Sequence, residues 1–354
     1  MENIQGQLTS PKENIRFGKV HQRTTTRFFS FLTCIAILIA AFAMSGVWFN
    51  RENMLGFLDK TPPQGDDLTE GDIYLENQNP DRNPQTSLLI PEGATEIVSL
   101  DLSYKANELS MLQNETLYRP NLEEIKNKQS ITDQSSDGPL VLILHTHASE
   151  AYLPPQVSYL EGNIGQNIYS NDPERSVIAV GRTLCETLNQ NGISAIQCTD
   201  QHGKNGTLQS SYQGAATCIV RYLEKYPSIQ YVIDLHRDGI LNNHGELVKA
   251  VTTYEGNSYG QIMAVVGTDG NGTEHPYWQS NLSLAIRLNE GVESKIENIC
   301  RPISLRNASY NQELAPNSLL LEIGSAGNTK EEAIRSAKLI GEVLAELIKS
   351  DQCM

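Results

Sequence analysis

The stretch PLVLILHTHASE, residues 139–150, is an unbroken apolar run that ends in two histidines and a glutamate. A short apolar run followed by polar residues is typical of a strand buried inside a parallel sheet. The same pattern recurs in YVIDLHRDG, residues 231–239, and in SLLLEIG, residues 318–324. Apolar residues at helical spacing fill the chain between these strands, and this alternation predicts an α/β fold.

The predicted elements define the fold class more closely. Helices are predicted over residues 174–192, 211–227, 278–297 and 328–350. Thr329 and Glu332 form a capping-box pattern at the start of the last helix. Residues 247–254 and 261–268 are predicted to pair as an antiparallel hairpin. Together these elements predict a three-layer sandwich with a mostly parallel mixed central sheet.

An uncharged segment near the N-terminus, Phe28–Phe49, predicts a transmembrane helix, because at about 1.5 Å per residue it would be about 33 Å long. Residues 1–27 hold five basic and two acidic residues, a net charge of +3. The positive-inside rule therefore predicts that residues 1–27 are a cytoplasmic tail and that the chain after the helix is extracytoplasmic. A cleaved signal peptide is the alternative, since Ala41 and Ala43 loosely resemble a cleavage site.

Composition divides the extracytoplasmic part in two. Residues 50–138 are rich in Pro, Asn, Gln, Asp and Glu with little apolar periodicity, which predicts a stalk. Two segments of this stalk, residues 87–102 and 114–120 (NETLYRP), are expected to form short strands or to dock on the following domain. Residues 139–354 are predicted to be the catalytic domain.

Charge and cysteine usage limit the classes of ligand. The formal net charge of −15 argues against nucleic acid, which binds basic surfaces. Of six cysteines, one lies in the apolar N-terminal segment and five follow it, with no CxxC pair. We interpret most of the five as small core residues, and their spacing does not indicate a disulfide.

Polar side chains at the ends of the three strands predict a metal site, because ligands bind at the carboxyl ends of strands in such sheets. His147, Glu150 and His236 are the donor types of a catalytic zinc ion, and Glu322 is then free to act as general base. Spacing alone does not separate His147 from His145. The loop freedom of residues beyond the strand favours His147.

His145 is therefore the alternative ligand, and we expect it to pack or hydrogen-bond behind the metal ligands. Asp234 lies two residues before His236 and is predicted to orient its imidazole.

A set of segments resembles the stage II sporulation protein P family, which are membrane-anchored peptidoglycan hydrolases related to zinc amidases. The segments are NETLYRP, HTHASEAY, SVIAVGRTL, YPSIQYVIDLHRDG, YNQEL (310–314) and SLLLEIGSAGNTKEEA. They occur in order, mostly within residues 139–348. Ser325 and Ala326 depart from the family pattern, a change that concerns the loop beside Glu322 and not its carboxylate.

The resemblance implies a zinc enzyme that cleaves the amide between N-acetylmuramic acid and L-alanine, and peptide cross-links as well, during engulfment in sporulation. It implies His147, Glu150 and His236 as zinc ligands and Glu322 as catalytic base. It also implies a location on the mother-cell side of the septum. The expected partners are peptidoglycan, a lytic transglycosylase and a membrane scaffold protein.

Two alternative functions fit parts of the pattern. A metallocarboxypeptidase also uses H-x-x-E, a later histidine and a glutamate base, and it needs a cation for the terminal carboxylate of its substrate. Arg237 is the obvious candidate for that cation. A non-catalytic membrane adaptor is the second alternative, which the complete ligand set disfavours.

Overall fold

The structure is a computed structural model, and it describes residues 90–104, 111–128, 137–202 and 208–353. The predicted cytoplasmic tail, the transmembrane helix and the first part of the stalk lie outside these ranges. Within them, no helix combines the length and the apolar character that crossing a bilayer requires.

The described residues form eleven strands and six helices. The strands are β1 Thr95–Leu100, β2 Leu112–Asn114, β3 Val141–Leu144, β4 Tyr159–Leu160, β5 Ala195–Gln197, β6 Tyr231–Asp238, β7 Leu247–Tyr254, β8 Asn257–Gly260, β9 Ile262–Gly267, β10 Ile303–Arg306 and β11 Ser318–Ser325. The helices are α1 Leu122–Lys126, α2 Gly165–Ile168, α3 Val177–Gln190, α4 Leu208–Lys225, α5 Trp278–Glu293 and α6 Lys330–Gln352. The predicted capping box at Thr329 and Glu332 is present at the start of α6.

The central sheet has seven strands in the order β2–β10–β9–β11–β6–β3–β5. Its neighbouring strands are parallel except β9 and β11, which are antiparallel. The α/β fold with a mixed sheet is therefore confirmed.

Helices cover both faces of this sheet. Successive residues of a strand point to opposite faces, so one strand contributes to the apolar clusters on both sides. Val141 and Ile143 of β3 belong to the large apolar cluster that α3, α5 and α6 complete. Leu142 and Leu144 of the same strand face a second cluster with residues of α4. A strand buried on both faces explains why its sequence is apolar without alternation.

A second sheet has the order β4–β1–β7–β8. Here the prediction of a hairpin between residues 247–254 and 261–268 is wrong. Residues 247–254 (β7) pair instead with β8, through a two-residue turn at Glu255 and Gly256. Both turn residues have positive φ, 49° and 78°, which is the backbone that closes a tight hairpin. The chain then passes into the seven-stranded sheet as β9.

Two segments of the predicted stalk are built into these sheets. β1 pairs in parallel with β7, and β2 pairs in parallel with β10. Within NETLYRP, the Tyr118 ring lies 4.8 Å from the Trp278 ring of α5. The expected docking is thus observed, while the boundary between stalk and catalytic domain at residue 138 remains a prediction.

Candidate active site

The strand ends meet as predicted, at the carboxyl edge of the seven-stranded sheet. His147 and Glu150 lie in the turn after β3, where the Glu150 backbone N–H donates to the His147 carbonyl oxygen over 3.0 Å. His236 of β6 is paired side by side with Glu322 of β11. All four side chains line one open cleft.

The two histidines of the predicted ligand set face each other. The ring of His147 lies 5.3 Å from the ring of His236, at an angle of 80°. Oε2 of Glu150 lies 3.4 Å from Nδ1 of His236. The same Oε2 accepts a hydrogen bond from the backbone N–H of Arg237 over 3.1 Å, which fixes the carboxylate.

Asp234 sits behind His236, as the sequence predicts. Its Oδ1 lies 3.0 Å from Nε2 of His236, although the contact lacks the alignment of a hydrogen bond. The Asp234 carboxylate is held by the backbone N–H and the hydroxyl of Thr146, over 2.8 and 2.6 Å. The turn after β3 and the strand β6 are therefore locked together beside the imidazole.

Charge in the site is concentrated on His236. Burial disfavours its charged form, but Asp234 and Glu150 on either side raise its pKa well above the usual value. Burial also opposes ionisation of the two carboxyls, yet His236 outweighs it and lowers the pKa of Glu150 and of Asp234, the latter to about 2. The arrangement is a positive charge held between two buried carboxylates.

Glu322 lies at the other wall with a different electrostatic environment. Burial, and then the negative charge of Asp238, raise its pKa to about 8. Its Oε2 is shielded from solvent and has no hydrogen-bond partner among the described residues. Asp238 itself is paired with Arg301, with 2.7 Å between Oδ2 and the guanidinium. The pKa of the Glu322 carboxyl is thus raised by burial and by the negative charge of Asp238, and lowered by the positive charge of His236.

His145 occupies the core and not the cleft. Its Nδ1 hydrogen-bonds to the Leu235 carbonyl oxygen over 3.0 Å, and its Nε2 to the Gln197 side-chain amide over 2.9 Å. Helix α3 packs so closely over it that a Cβ atom at Gly181 would lie 2.5 Å from Cε1 of the ring. Burial lowers the pKa of His145 to about 4. Both ring nitrogens therefore have protein partners, in line with a supporting role.

Arg237 is likewise committed to the structure. Its guanidinium is buried and donates to the carbonyl oxygens of Ala151 and Ile168, over 3.2 and 2.8 Å. It also lies over the Tyr169 ring at 5.0 Å. The cation that the sequence offered for a substrate carboxylate is occupied in holding the His147–Glu150 turn against β6.

The cleft contains residues that sequence reasoning missed. Tyr212 of α4 places its ring 5.6 Å from that of His147, edge to face. Arg306, at the end of β10, lines the same cleft and forms an ion pair with Glu115 of the NETLYRP segment. A tyrosine at a helical position and an arginine at a strand end carry no signal that marks them in the sequence. Tyr310, from the YNQEL segment that the sequence did single out, also lines the cleft.

The residues present fit a divalent cation in donor type and in charge. Two imidazoles and a carboxylate suit zinc. Glu150 and His236 present a carboxylate oxygen and the ring nitrogen Nδ1 only 3.4 Å apart, while Nε2 of the same ring lies against Asp234 on the other side.

The candidate ligand atoms of His147, Glu150 and His236 are nevertheless more widely spaced than those of another group. Only one group in the described part of the chain has three candidate ligand atoms all within 4.8 Å of one another, and that group is Cys198, His202 and Cys218, elsewhere in the fold.

Comparison with known sequences assigns the family. The family model described as Stage II sporulation protein P matches residues 79–345. The chain belongs to the stage II sporulation protein P family. The family resemblance of its motifs is therefore confirmed.

One relative in this family is Stage II sporulation protein P of Bacillus subtilis (strain 168). It is 28% identical over 246 residues, which are 64% of this chain and 58% of the relative. The chain thus matches less than two thirds of the length of that relative.

Two solved structures are similar in fold at low scores. They are N-acetylmuramoyl-L-alanine amidases from Nostoc punctiforme and from Clostridium difficile 630, with TM-scores of 0.36 and 0.34 and identities of 14% and 13%. Each match covers 61% of this chain and 99% of the solved chain. Similarities of this size carry no argument about the site.

Proposed function

We propose that this chain is a zinc-dependent peptidoglycan hydrolase that acts during engulfment in sporulation. It cleaves the amide between N-acetylmuramic acid and L-alanine, and peptide cross-links as well. The observation that carries the proposal is the convergence of two imidazoles and two carboxylates, from His147, His236, Glu150 and Glu322, on one open cleft. Membership in the stage II sporulation protein P family supports the biological setting.

His147, Glu150 and His236 are the residues that would hold zinc. When bound there, zinc supplies a Lewis acid that polarises a carbonyl and acidifies water. Other groups of the chain support two of these ligands. Asp234 lies 3.0 Å from Nε2 of His236, and the Arg237 backbone N–H donates to one carboxylate oxygen of Glu150. Supporting contacts of this kind orient metal ligands.

Glu322 is the proposed proton carrier. Burial and Asp238 raise its pKa to about 8, although the positive charge of His236 already acts to lower it, so Glu322 holds a proton at neutral pH. Positive charge in the cleft favours the ionised form, since an opposite charge within about 4–6 Å lowers a carboxyl pKa. Glu322 then accepts a proton from water in the cleft and returns it to the leaving amine. A pKa near the working pH suits a group that must do both.

The walls of the cleft provide substrate contacts. Tyr212 and Tyr310 present aromatic rings beside the catalytic groups. Arg306 adds a positive charge, shared with Glu115 and about three-quarters buried. Peptidoglycan stem peptides carry carboxylates, and a guanidinium is the side chain best shaped to bind them. The cleft therefore offers an apolar wall and one cationic position to the peptide portion of the substrate.

The proposal includes the placement of the enzyme. Residues 28–49 anchor it in the membrane, residues 50–138 form an extracytoplasmic stalk, and residues 139–354 act on the wall from the mother-cell side of the septum. A lytic transglycosylase and a membrane scaffold are its proposed partners. The charge of residues 1–27 and the family assignment support this arrangement.

The metallocarboxypeptidase alternative is weakened by the position of Arg237. Its guanidinium is buried and already donates to the carbonyl oxygens of Ala151 and Ile168. Arg306 could bind a terminal carboxylate instead, so product analysis has to separate the two activities. A non-catalytic adaptor would have no use for the shielded, partnerless Oε2 of Glu322.

The test is muropeptide analysis of purified sacculi digested with the zinc-loaded full chain in detergent. Whole stem peptides released from intact glycan strands are the expected product, and chelation should stop their release. A Glu322→Gln chain prepared in parallel controls for contaminating hydrolases. Release of single C-terminal amino acids would establish the carboxypeptidase. Absence of any product from a zinc-loaded chain would contradict both activities.

A further inference from the structure

The second compact cluster of the molecule lies between the sheet and α4. Cys198 follows β5, and Cys218 lies in the middle of α4. Their Sγ atoms are 2.7 Å apart, and the two residues are only 1% and 3% exposed. We propose that Cys198 and Cys218 are a cross-linking site, at which a disulfide joins the end of β5 to helix α4.

The surroundings of the pair favour a disulfide over a free dithiol. Both residues belong to the apolar cluster that Leu142, Leu144 and Ile219 help to form. Neither sulfur can be solvated there. A disulfide is apolar and removes two thiol groups from this interior. It would persist in an oxidising, extracytoplasmic setting, where disulfides are stable.

A shared metal ion is the competing occupant. His202 completes a group whose candidate ligand atoms all lie within 4.8 Å of one another, and its Nε2 is buried with no hydrogen-bond partner among the described residues. However, two thiolates bound to one tetrahedral zinc ion lie about 3.8 Å apart, since each Zn–S bond is about 2.3 Å. Sulfurs 2.7 Å apart are too close to bracket a metal ion.

The local chemistry selects one cysteine as the nucleophile. The hydrogen bond with Cys218, together with His202 nearby, lowers the pKa of the Cys198 thiol to about 5 despite burial. A thiolate is the species that attacks a disulfide.

The proposed oxidant is a small-molecule disulfide. The Cys198 thiolate attacks one sulfur of the oxidant, forms a mixed disulfide and releases one thiol. The Cys218 thiolate then attacks the Cys198 sulfur, closes the cross-link and releases the second thiol. The protein pair loses two protons and two electrons, and the oxidant gains them.

The cross-link would hold a wall of the candidate active site. Helix α4 carries Tyr212 six residues before Cys218, and the Tyr212 ring contacts the ring of His147. The Tyr212 carbonyl oxygen also accepts a hydrogen bond from the Asn311 side chain, beside Tyr310. Joining α4 to the sheet therefore restrains the helix on which this wall depends.

The first test is disulfide mapping of the purified full chain. The chain is equilibrated in glutathione buffers from reducing to oxidising, denatured, alkylated, digested and analysed by mass spectrometry. We expect a linked pair of peptides containing Cys198 and Cys218, while Cys185 and Cys353 remain alkylated or carry glutathione. Alkylation of both Cys198 and Cys218 in every buffer would overturn the proposal. So would a second zinc ion per chain that disappears in Cys198→Ser.

The second test is thermal stability with and without reductant. Reduction of the oxidised wild type should lower its thermal midpoint by about 5 °C or more, the size expected for opening a loop of roughly 20 residues. Cys198→Ala/Cys218→Ala should show no response to reductant. Cys185→Ser/Cys353→Ser is the matched control, and it should respond as the wild type does. Equal responses to reductant in the wild type and in Cys198→Ala/Cys218→Ala would contradict the cross-link.

Discussion

Two clusters of potential metal ligands lie on the same sheet, and they differ in access and in compactness. His147, Glu150 and His236 stand at the open carboxyl edge and line a cleft with Glu322. The group of Cys198, His202 and Cys218 is tighter, and its two cysteines are buried, with the Arg221 guanidinium 3.8 Å from the Cys218 sulfur. Under the proposed function the more open set is the catalytic one, so compactness of a donor set does not by itself identify a catalytic centre.

Charge distinguishes the two clusters as well. In the cleft, two buried carboxylates stabilise a positive charge on His236, and a third carboxyl with a raised pKa faces them. At the cysteine cluster the nearest ion pair, Arg221 with Asp200, is more than half exposed on the surface. The cleft thus concentrates buried carboxyl groups around one imidazole, whereas the charged groups of the cysteine cluster, Arg221 and Asp200, are largely solvated.

The largest expected effect comes from His147→Ala, which should remove zinc and reduce hydrolysis of sacculi to the level of the buffer. A three-residue ligand set does not tolerate loss of one member. Metal analysis of the purified chain measures this directly. His244→Ala, at an exposed turn, is the matched control and should keep full zinc and activity. Full zinc occupancy in His147→Ala would show that zinc does not bind in the cleft.

Asp234→Asn tests whether the carboxylate behind His236 contributes to metal binding. It keeps one acceptor for the Thr146 backbone N–H, replaces the oxygen that accepts from the Thr146 hydroxyl with an amide donor, and removes the charge beside Nε2 of His236. Zinc affinity should fall by about 10- to 100-fold. Competition with a chelator of known affinity gives the value. An unchanged affinity would show that Asp234 is a structural residue only.

His145→Ala tests whether a histidine two residues from the cleft belongs to the core. It should lower the free energy of unfolding by about 2–4 kcal/mol, because it leaves a cavity and removes one of the two partners of the Gln197 side-chain amide. Zinc content should stay at the wild-type level. Chemical denaturation and metal analysis of the same sample measure both. Loss of zinc without loss of stability would make His145 the ligand that the sequence left open.

The smallest effect is expected at the partly exposed ion pair between Glu115 and Arg306. Glu115→Gln should change the free energy of unfolding by less than about 1 kcal/mol, as is usual for such pairs. It should lower KM for sacculi and leave kcat unchanged, because Arg306 is then released toward the cleft. Glu96→Gln, on a strand of the other sheet, is the control. A higher KM in Glu115→Gln would mean that Arg306 does not bind substrate.

Local sequence patterns predicted the three strands that carry the site residues. The position of His145 depends on long-range packing, which local patterns do not encode. The apolar runs before His147, His236 and Glu322 marked three strands, and parallel pairing brings their ends together whatever lies between. Spacing in the sequence did not separate His145 from His147 as the metal ligand. Only the packing of α3 shows that His145 is enclosed, since nothing near it in sequence encodes the approach of Gly181.

The misses share a physical cause. The hairpin prediction at residues 247–254 was wrong because the choice of pairing partner depends on the turn at Glu255 and Gly256, which two apolar strands do not reveal. Cys198 and Cys218 are 20 residues apart, and their contact arises from packing of α4 on the sheet. Tyr212 and Arg306 reach the cleft for the same reason, through the placement of whole elements and not through any local motif.

Glu322→Gln provides the most direct test of the central claim, that the cleft is a metal-dependent hydrolytic site in which Glu322 carries the proton. The measurement is zinc content by elemental analysis beside the rate of hydrolysis of labelled sacculi, on one preparation. We expect zinc at the wild-type level and a rate lower by about 10²- to 10⁴-fold, the usual effect of losing general acid–base catalysis. Zinc lost from Glu322→Gln, or a rate close to that of the wild type, would contradict the account.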